Sequence, residues 1–469
     1  MAGIGTTVGI AVVMFAIFRP SFVNYDAQWA LLWARDVWSG FLPEYTADFA
    51  PTPHPLATAV SSLALPFGGE ADTAILWLTL LSFGALVYLT YRLGAELFNP
   101  WVGAVAAIAV LSRPVILRDT LIGYQDLPFA ALVVGAVLLE AQRHRRGVPV
   151  LVLLALAGLL RPEAWVLSGL YWLYLWPGAT TCNRVRTAAL AVSAPLIWAG
   201  IDWIVTGDPL HSLHGTAALA EEADRRRSPE DVPYWTAQYF GFALREPLLL
   251  GIPIGFAFAW AHARRRAALP LVAVAAMVAV FAAGPLFGLP LIRRYVDTPT
   301  VLLCLFYGLA VCGWTLLPRG RARTTWMVAG IVAGALSIAY LPWHVAQLEK
   351  VDRRVQLDGK LYRQLQRATE APRVRAAFAN CGPLTTGDHR PIPFVRYGLD
   401  GDPGSVGTVA SGASPMGRML LLPRRSRWTR RIYSRRTFPA IEPPENFVRI
   451  YRNRSWRVFA VRGCVPPRA

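Results

Sequence analysis

Charge is scarce in this 469-residue chain, at 16% of residues, whereas 54% are hydrophobic and the mean hydropathy is +0.38. No soluble domain of this length needs that much apolar surface, so the composition excludes an ordinary water-soluble fold. Cysteine is sparse as well. Five are too few for a disulfide scaffold, and none stands in a Cys-x-x-Cys or other metal-binding pair, which argues against metal held by thiolates. The apolar run at residues 3–18 has no basic segment before it and no small-x-small cleavage site after it, so it reads as an uncleaved first helix.

Apolar segments suited to crossing roughly 30 Å of hydrocarbon recur along most of the chain. With the first run they number eleven, the others lying near 71–91, 100–111, 127–139, 148–160, 164–176, 187–205, 247–260, 268–289, 300–317 and 325–342. A net charge of +18 would suit nucleic acid in a soluble protein, but in a membrane protein Lys and Arg set topology. The clusters RHRR (143–146), Arg184 with Arg186, RRR (264–266) and RGRAR (319–323) fall in loops of one parity, which the positive-inside rule makes cytoplasmic. The expectation is a multi-pass α-helical protein of the plasma membrane that contacts membrane lipids and no nucleic acid. Its transmembrane domain covers 1–343, with extracytoplasmic loops 20–70, 112–126 and 206–246.

Residues 344–469 are a different kind of sequence. Helical periodicity over 345–368 gives way to short apolar runs separated by Gly and Pro, such as PFVRYGL, GRMLLLP, NFVRIY and WRVFAV, which indicates a small extracytoplasmic α/β domain. It holds 24 Lys and Arg against 9 Asp and Glu, a net +15 of the chain's +18. Such a surface suits anionic headgroups or a phosphate-bearing glycolipid, or is simply a solvated basic face. In an oxidising compartment Cys381 and Cys464, which bracket this domain, are expected to pair; Cys182, Cys304 and Cys312 are expected to be inert.

The loop at 24–56 places Asp26, Asp36, Glu44, Asp48 and His54 between two strongly apolar segments, holding ionisable groups against a membrane surface. The opening NYDAQWALLWARDVWSG, the PTPHPL that leads into an apolar helix, the stretch YRLGAELFNPWVGAVAAIAVLSRPVILRDTLIGYQDLPFAALVV and then LLALAGLLRPEAW resemble the GT-C class of membrane glycosyltransferases. The resemblance is to the aminoarabinose transferase and protein O-mannosyltransferase branch, over about the first 175 residues and again at LIRRYVDTP. It implies transfer of a sugar, outside the cytoplasm, from a polyprenyl-phosphate donor to a glycan, glycolipid or protein acceptor. It also implies that Asp26 and Asp126 are the family's two acidic residues. Ala27 stands where many relatives carry a second acid, and Pro53-His54 where many carry a Lys. The first difference leaves a divalent metal cofactor open, and the second leaves the phosphate contact at His54 open.

The chemistry asks for the same residue types. An acceptor hydroxyl attacking an anomeric carbon needs a carboxylate base, and the leaving phosphate needs cationic or hydrogen-bond donors. Asp26 suits the base and Asp126 a supporting carboxylate; Arg293, Arg294, Tyr295 and His54 suit the donor phosphate, and Asp119, Arg161 and Glu163 are further substrate-binding candidates. Structural readings stand beside these. Asp26 and Asp126 could cap the helices that follow them, Arg293 and Arg294 could snorkel to headgroups, and Arg161 with Glu163 could be a structural ion pair. Trp29, Trp33 and Trp38 could rest an amphipathic helix on the interface. A polyprenyl-lipid transporter or flippase would want charges at the bilayer midplane and broken helices in matching repeats. A non-catalytic glycan-binding membrane protein would release no polyprenyl phosphate from a polyprenyl-phosphate sugar.

Overall fold

Without water to satisfy it, a backbone in hydrocarbon must pair its own polar groups, so apolar runs of this length become helices. Among the described residues, five helical stretches are long and apolar enough to cross a membrane, namely Leu65–Leu97, Thr181–Thr206, Leu248–Phe287, Arg293–Leu316 and Arg321–Ala339. Helices Pro100–Leu111 and Pro114–Leu121 meet at 61° and make a sixth if counted as one span. The eleven segments read from the sequence exceed this number because some form helices shorter than the roughly 20 residues a perpendicular span takes. Ala2–Phe18 has 17 residues and Val148–Gly158 has 11. The stretch Leu248–Phe287 is 40 residues, but its backbone leaves helical geometry at Ala263, beside the RRR cluster.

The structure is a computed structural model that describes residues 2–411, 417–424 and 441–464. Two compact units emerge: residues 1–20, 54–57 and 76–354 in the first, and 21–53, 58–75 and 355–469 in the second. The helix Leu341–Thr369 runs unbroken through residue 343.

In the first unit, helix Asp297–Cys312 is the centre, with every residue from Asp297 to Ala310 buried. Its neighbours approach to backbone contact. A Cβ on Gly255 would lie 1.8 Å from the Phe306 carbonyl oxygen, and one on Gly308 would lie 2.5 Å from that of Val102. Small residues permit this closeness, which membrane helices use for dispersion contact. The bend before Pro114 has a local cause, since a residue preceding proline avoids helical geometry and Arg113 takes φ −75°, ψ 115°. The buried Arg113 side chain then donates to the carbonyl oxygens of Ala109, at 3.1 Å, and Leu244, satisfying two helix C-termini.

The second unit joins the first-loop helix Tyr25–Trp38 to the C-terminal α/β fold expected from the sequence. Strands β1 (Leu384–Thr386), β2 (Val406–Thr408), β3 (Met419–Pro423), β4 (Phe447–Arg452) and β5 (Trp456–Val461) form one sheet in the order β2-β1-β3-β5-β4. β1 is parallel to both β2 and β3, whereas β5 is antiparallel to β3 and β4. Helix Ile392–Gly398 follows β1 and precedes β2. Cys381 and Cys464 are disulfide-bonded, as expected, and Cys182, Cys304 and Cys312 are free.

Candidate functional site

Seven of the residues singled out from the sequence meet in the first unit. The bend at Pro114 sets up the short helix Pro114–Leu121, which presents a fully buried Asp119. Asp126 lies in the first turn of helix Asp126–Gln142, and Arg161 immediately precedes the turn into helix Glu163–Leu175. Arg293, Arg294 and Tyr295 come from the short 3-10 turn Arg293–Val296 that leads into the central helix.

Two chains of ion pairs run through these groups. Arg293 bridges Asp119 and Asp297, the latter at 2.8 Å. Asp126 accepts from both Arg161 and Arg294, the second at 3.2 Å, and Arg161 also holds Glu163 at 2.7 Å. The half-exposed Arg118 approaches Asp119 at 3.4 Å. Two aromatic faces cover the cations, Tyr295 with Arg161 at 4.4 Å and Tyr124 with Arg294 at 4.2 Å from the ring centroids. Four arginines and four carboxylates thus balance, which answers the cost of burying isolated charges. Arg161 and Glu163 are an ion pair, as the structural reading had it, yet Asp126 draws the pair into the larger network.

Asp126 spends its carboxylate on two arginines rather than on a helix cap. Asp297 was missed in the sequence, although its position four residues after Arg293 on a helix is a recognisable pairing signal. His54 has a different setting. Its ring stands edge-on to Trp198 at 5.7 Å, and the Trp198 indole donates to the Ser212 hydroxyl at 2.8 Å.

Asp26 belongs to the second unit, in the first turn of helix Tyr25–Trp38. The cap of that helix is Asn24, whose side-chain oxygen accepts from the backbone amides of Asp26 at 2.8 Å and Ala27 at 3.2 Å. The sequence reading that gave Asp26 the capping role is therefore replaced by Asn24 two positions earlier. Trp29 and Trp33 are buried and Trp38 is exposed, so the first two pack the unit's interior. Farther along the same helix, Asp36 pairs with Arg396 at 2.6 Å, and Arg396 also holds Glu44 at 3.0 Å. Burial pushes the carboxyls of Asp36 and Glu44 above their ordinary values, against the pull of Arg396. Among the described residues no group of three His, Cys, Asp or Glu is placed to hold a metal ion.

No family model and no curated protein matches the chain. Solved structures do. The chain has the fold of the GT-C glycosyltransferases, integral membrane proteins, in agreement with the resemblance drawn from its first 175 residues. It is similar to ArnT from Cupriavidus metallidurans bound to undecaprenyl phosphate, with a TM-score of 0.58 at 13% identity over 98% of both chains. It is also similar to the oligosaccharyltransferase AglB from Archaeoglobus fulgidus in complex with an inhibitory peptide and a dolichol-phosphate. There the TM-score is 0.51 at 12% identity, over 90% of this chain and 69% of AglB.

Proposed function

We propose that this protein is a glycosyltransferase that moves a sugar from a polyprenyl-phosphate donor to a hydroxyl on a glycan, lipid or protein acceptor. The observation that carries the reading is a fold shared along nearly the whole of ArnT, a protein that binds undecaprenyl phosphate. Asp26 takes the proton of the acceptor hydroxyl as its oxygen attacks the anomeric carbon. The bond from that carbon to phosphate oxygen breaks, polyprenyl phosphate leaves with the electron pair, and the configuration inverts because no covalent sugar intermediate intervenes. Asn24 supports this role because it, and not Asp26, caps the helix.

Arg293 and Arg294 are the proposed phosphate contacts, held in orientation by Asp119, Asp297 and Asp126, with Tyr295 and His54 as further donors. Asp119, Arg161 and Glu163 set the geometry of the sugar side. The reaction belongs to the extracytoplasmic face of the plasma membrane, with the N-terminus in the cytoplasm. The parity of the basic loops supports that placement, and so does the Cys381–Cys464 disulfide, which fits an oxidising compartment.

Purified protein offered a panel of polyprenyl-phosphate sugars should release polyprenyl phosphate from at least one of them. No release from any member, in protein shown to be folded, refutes the reading.

A further inference from the structure

The turn after β1 has features that sheet packing alone does not require. β1 lies between two parallel neighbours, β2 and β3, and the carboxyl ends of parallel strands are where open α/β sheets take ligands. Asp388 and His389 stand in that turn. The Asp388 residue is 1% exposed and its Oδ1 accepts from the Arg390 amide at 2.8 Å, whereas its Oδ2 is buried without a hydrogen-bond partner. Such an orphan acceptor is costly unless something completes it. Burial holds the Asp388 carboxyl above its ordinary value.

His389 is fixed from the other side by the first loop. Its imidazole stacks on the Phe49 ring at 4.3 Å between centroids, 17° from parallel, and meets Tyr25 edge-on at 5.8 Å. Phe49 takes a left-handed backbone conformation, φ 57°, which is unusual for an aromatic residue and persists only where surroundings fix it. Here the Tyr25 hydroxyl donates to the Phe49 carbonyl at 2.9 Å. Tyr25 directly precedes Asp26, and its phenol is raised above the ordinary value chiefly by burial, with the Asp26 and Asp388 carboxylates adding to the shift. The first loop thus holds the imidazole against Tyr25, the residue directly before the proposed base.

We propose that His389 is a further residue of the Asp26 site, presenting its imidazole to a hydroxyl-bearing acceptor, with Asp388, whose Oδ1 lies 3.9 Å from Nδ1 of the ring, as the carboxylate behind it. This rests on the glycosyltransferase reading for its chemistry, though not for its geometry. It gives the C-terminal fold a share in the reaction, that of binding and orienting the group that attacks.

Two measurements on the full-length protein in detergent test it. The first follows the His389 imidazole by NMR with histidine labelled at Cε1. Replacing Asp26→Asn removes a nearby negative charge, so His389 should titrate at lower pH in the variant; an unchanged titration overturns the proposal. The second compares His389→Phe with His389→Ala, using octyl glucoside as the acceptor probe. His389→Phe keeps the stack on Phe49 and should unfold at the wild-type temperature while transfer falls about tenfold or more. His389→Ala should lose both stability and transfer. Wild-type transfer by a folded His389→Phe protein reduces His389 to packing and overturns the proposal. If the wild type turns over no polyprenyl-phosphate sugar, the glycosyltransferase reading fails by itself, and the titration alone decides whether His389 shares a site with Asp26.

Discussion

Arg396 and Asp36, 360 positions apart, form a buried ion pair with Nη2 of the arginine 2.6 Å from Oδ1 of the carboxylate. The same guanidinium reaches Glu44 and the carbonyls of Gly401 and Asp402, while Arg35 donates to the carbonyls of Tyr397 and Gly401. Removing one partner of such a pair leaves an uncompensated buried charge, which typically costs about 3 to 5 kcal/mol. Arg396→Met should therefore lower the thermal unfolding temperature of the second unit sharply, and the double variant Arg396→Met with Asp36→Leu should recover most of the loss. A single variant as stable as wild type would show that the pair contributes nothing.

Asp26→Asn should leave folding intact, because the helix cap is Asn24 and Asn preserves the shape of the side chain. Loss of a positioned general base costs about 100-fold to 10,000-fold in rate, so release of polyprenyl phosphate should fall by that factor while donor binding survives. An active Asp26→Asn protein moves the base to another carboxylate.

The cysteine bond closes a span of 83 residues. In the chain-entropy account, a loop of that length stabilises the fold by about 4 to 5 kcal/mol through its effect on the unfolded chain. Cys381→Ser with Cys464→Ser should unfold at lower temperature than the oxidised wild type, and mass spectrometry of wild-type protein from an oxidising compartment should find neither thiol free.

Stability should also depend on pH in a set direction. Burial raises the carboxyls of Asp36 and Glu44 in the folded state, so the folded chain holds these protons more tightly than the unfolded one. Their contribution is most favourable below the unfolded range, about 4, and is lost as pH rises through the folded values. Unfolding temperatures compared between wild type and Glu44→Gln should show the wild type losing ground to the variant as pH rises through that window. A difference of the opposite slope would contradict the assignment.

The sequence made much of the first-unit cluster legible because its members sit at helix ends, where a charge interrupts an apolar run. Asp119, Asp126, Arg161 and the Arg293–Tyr295 group all announce themselves that way. Arg396 and His389 do not, since each gains its meaning from a partner in the first loop that no local spacing connects to it. The number of spans is hard to read for a related reason. Apolar run length does not distinguish a full crossing from a short helix that ends at a bend such as the one before Pro114.

The ion-pair network of the first unit carries a consequence for biogenesis. Arg293 lies 174 positions after Asp119, and Arg294 lies 168 after Asp126. When the ribosome delivers the two aspartates to the insertion machinery, these arginines have not yet been synthesised. Asp126 can pair with Arg161, 35 positions later, and Asp119 with its neighbour Arg118, but the ion pairs to Arg293 and Arg294 form only when the segment at 293–297 arrives. A chain truncated before that segment should be degraded rather than accumulate as a stable fragment.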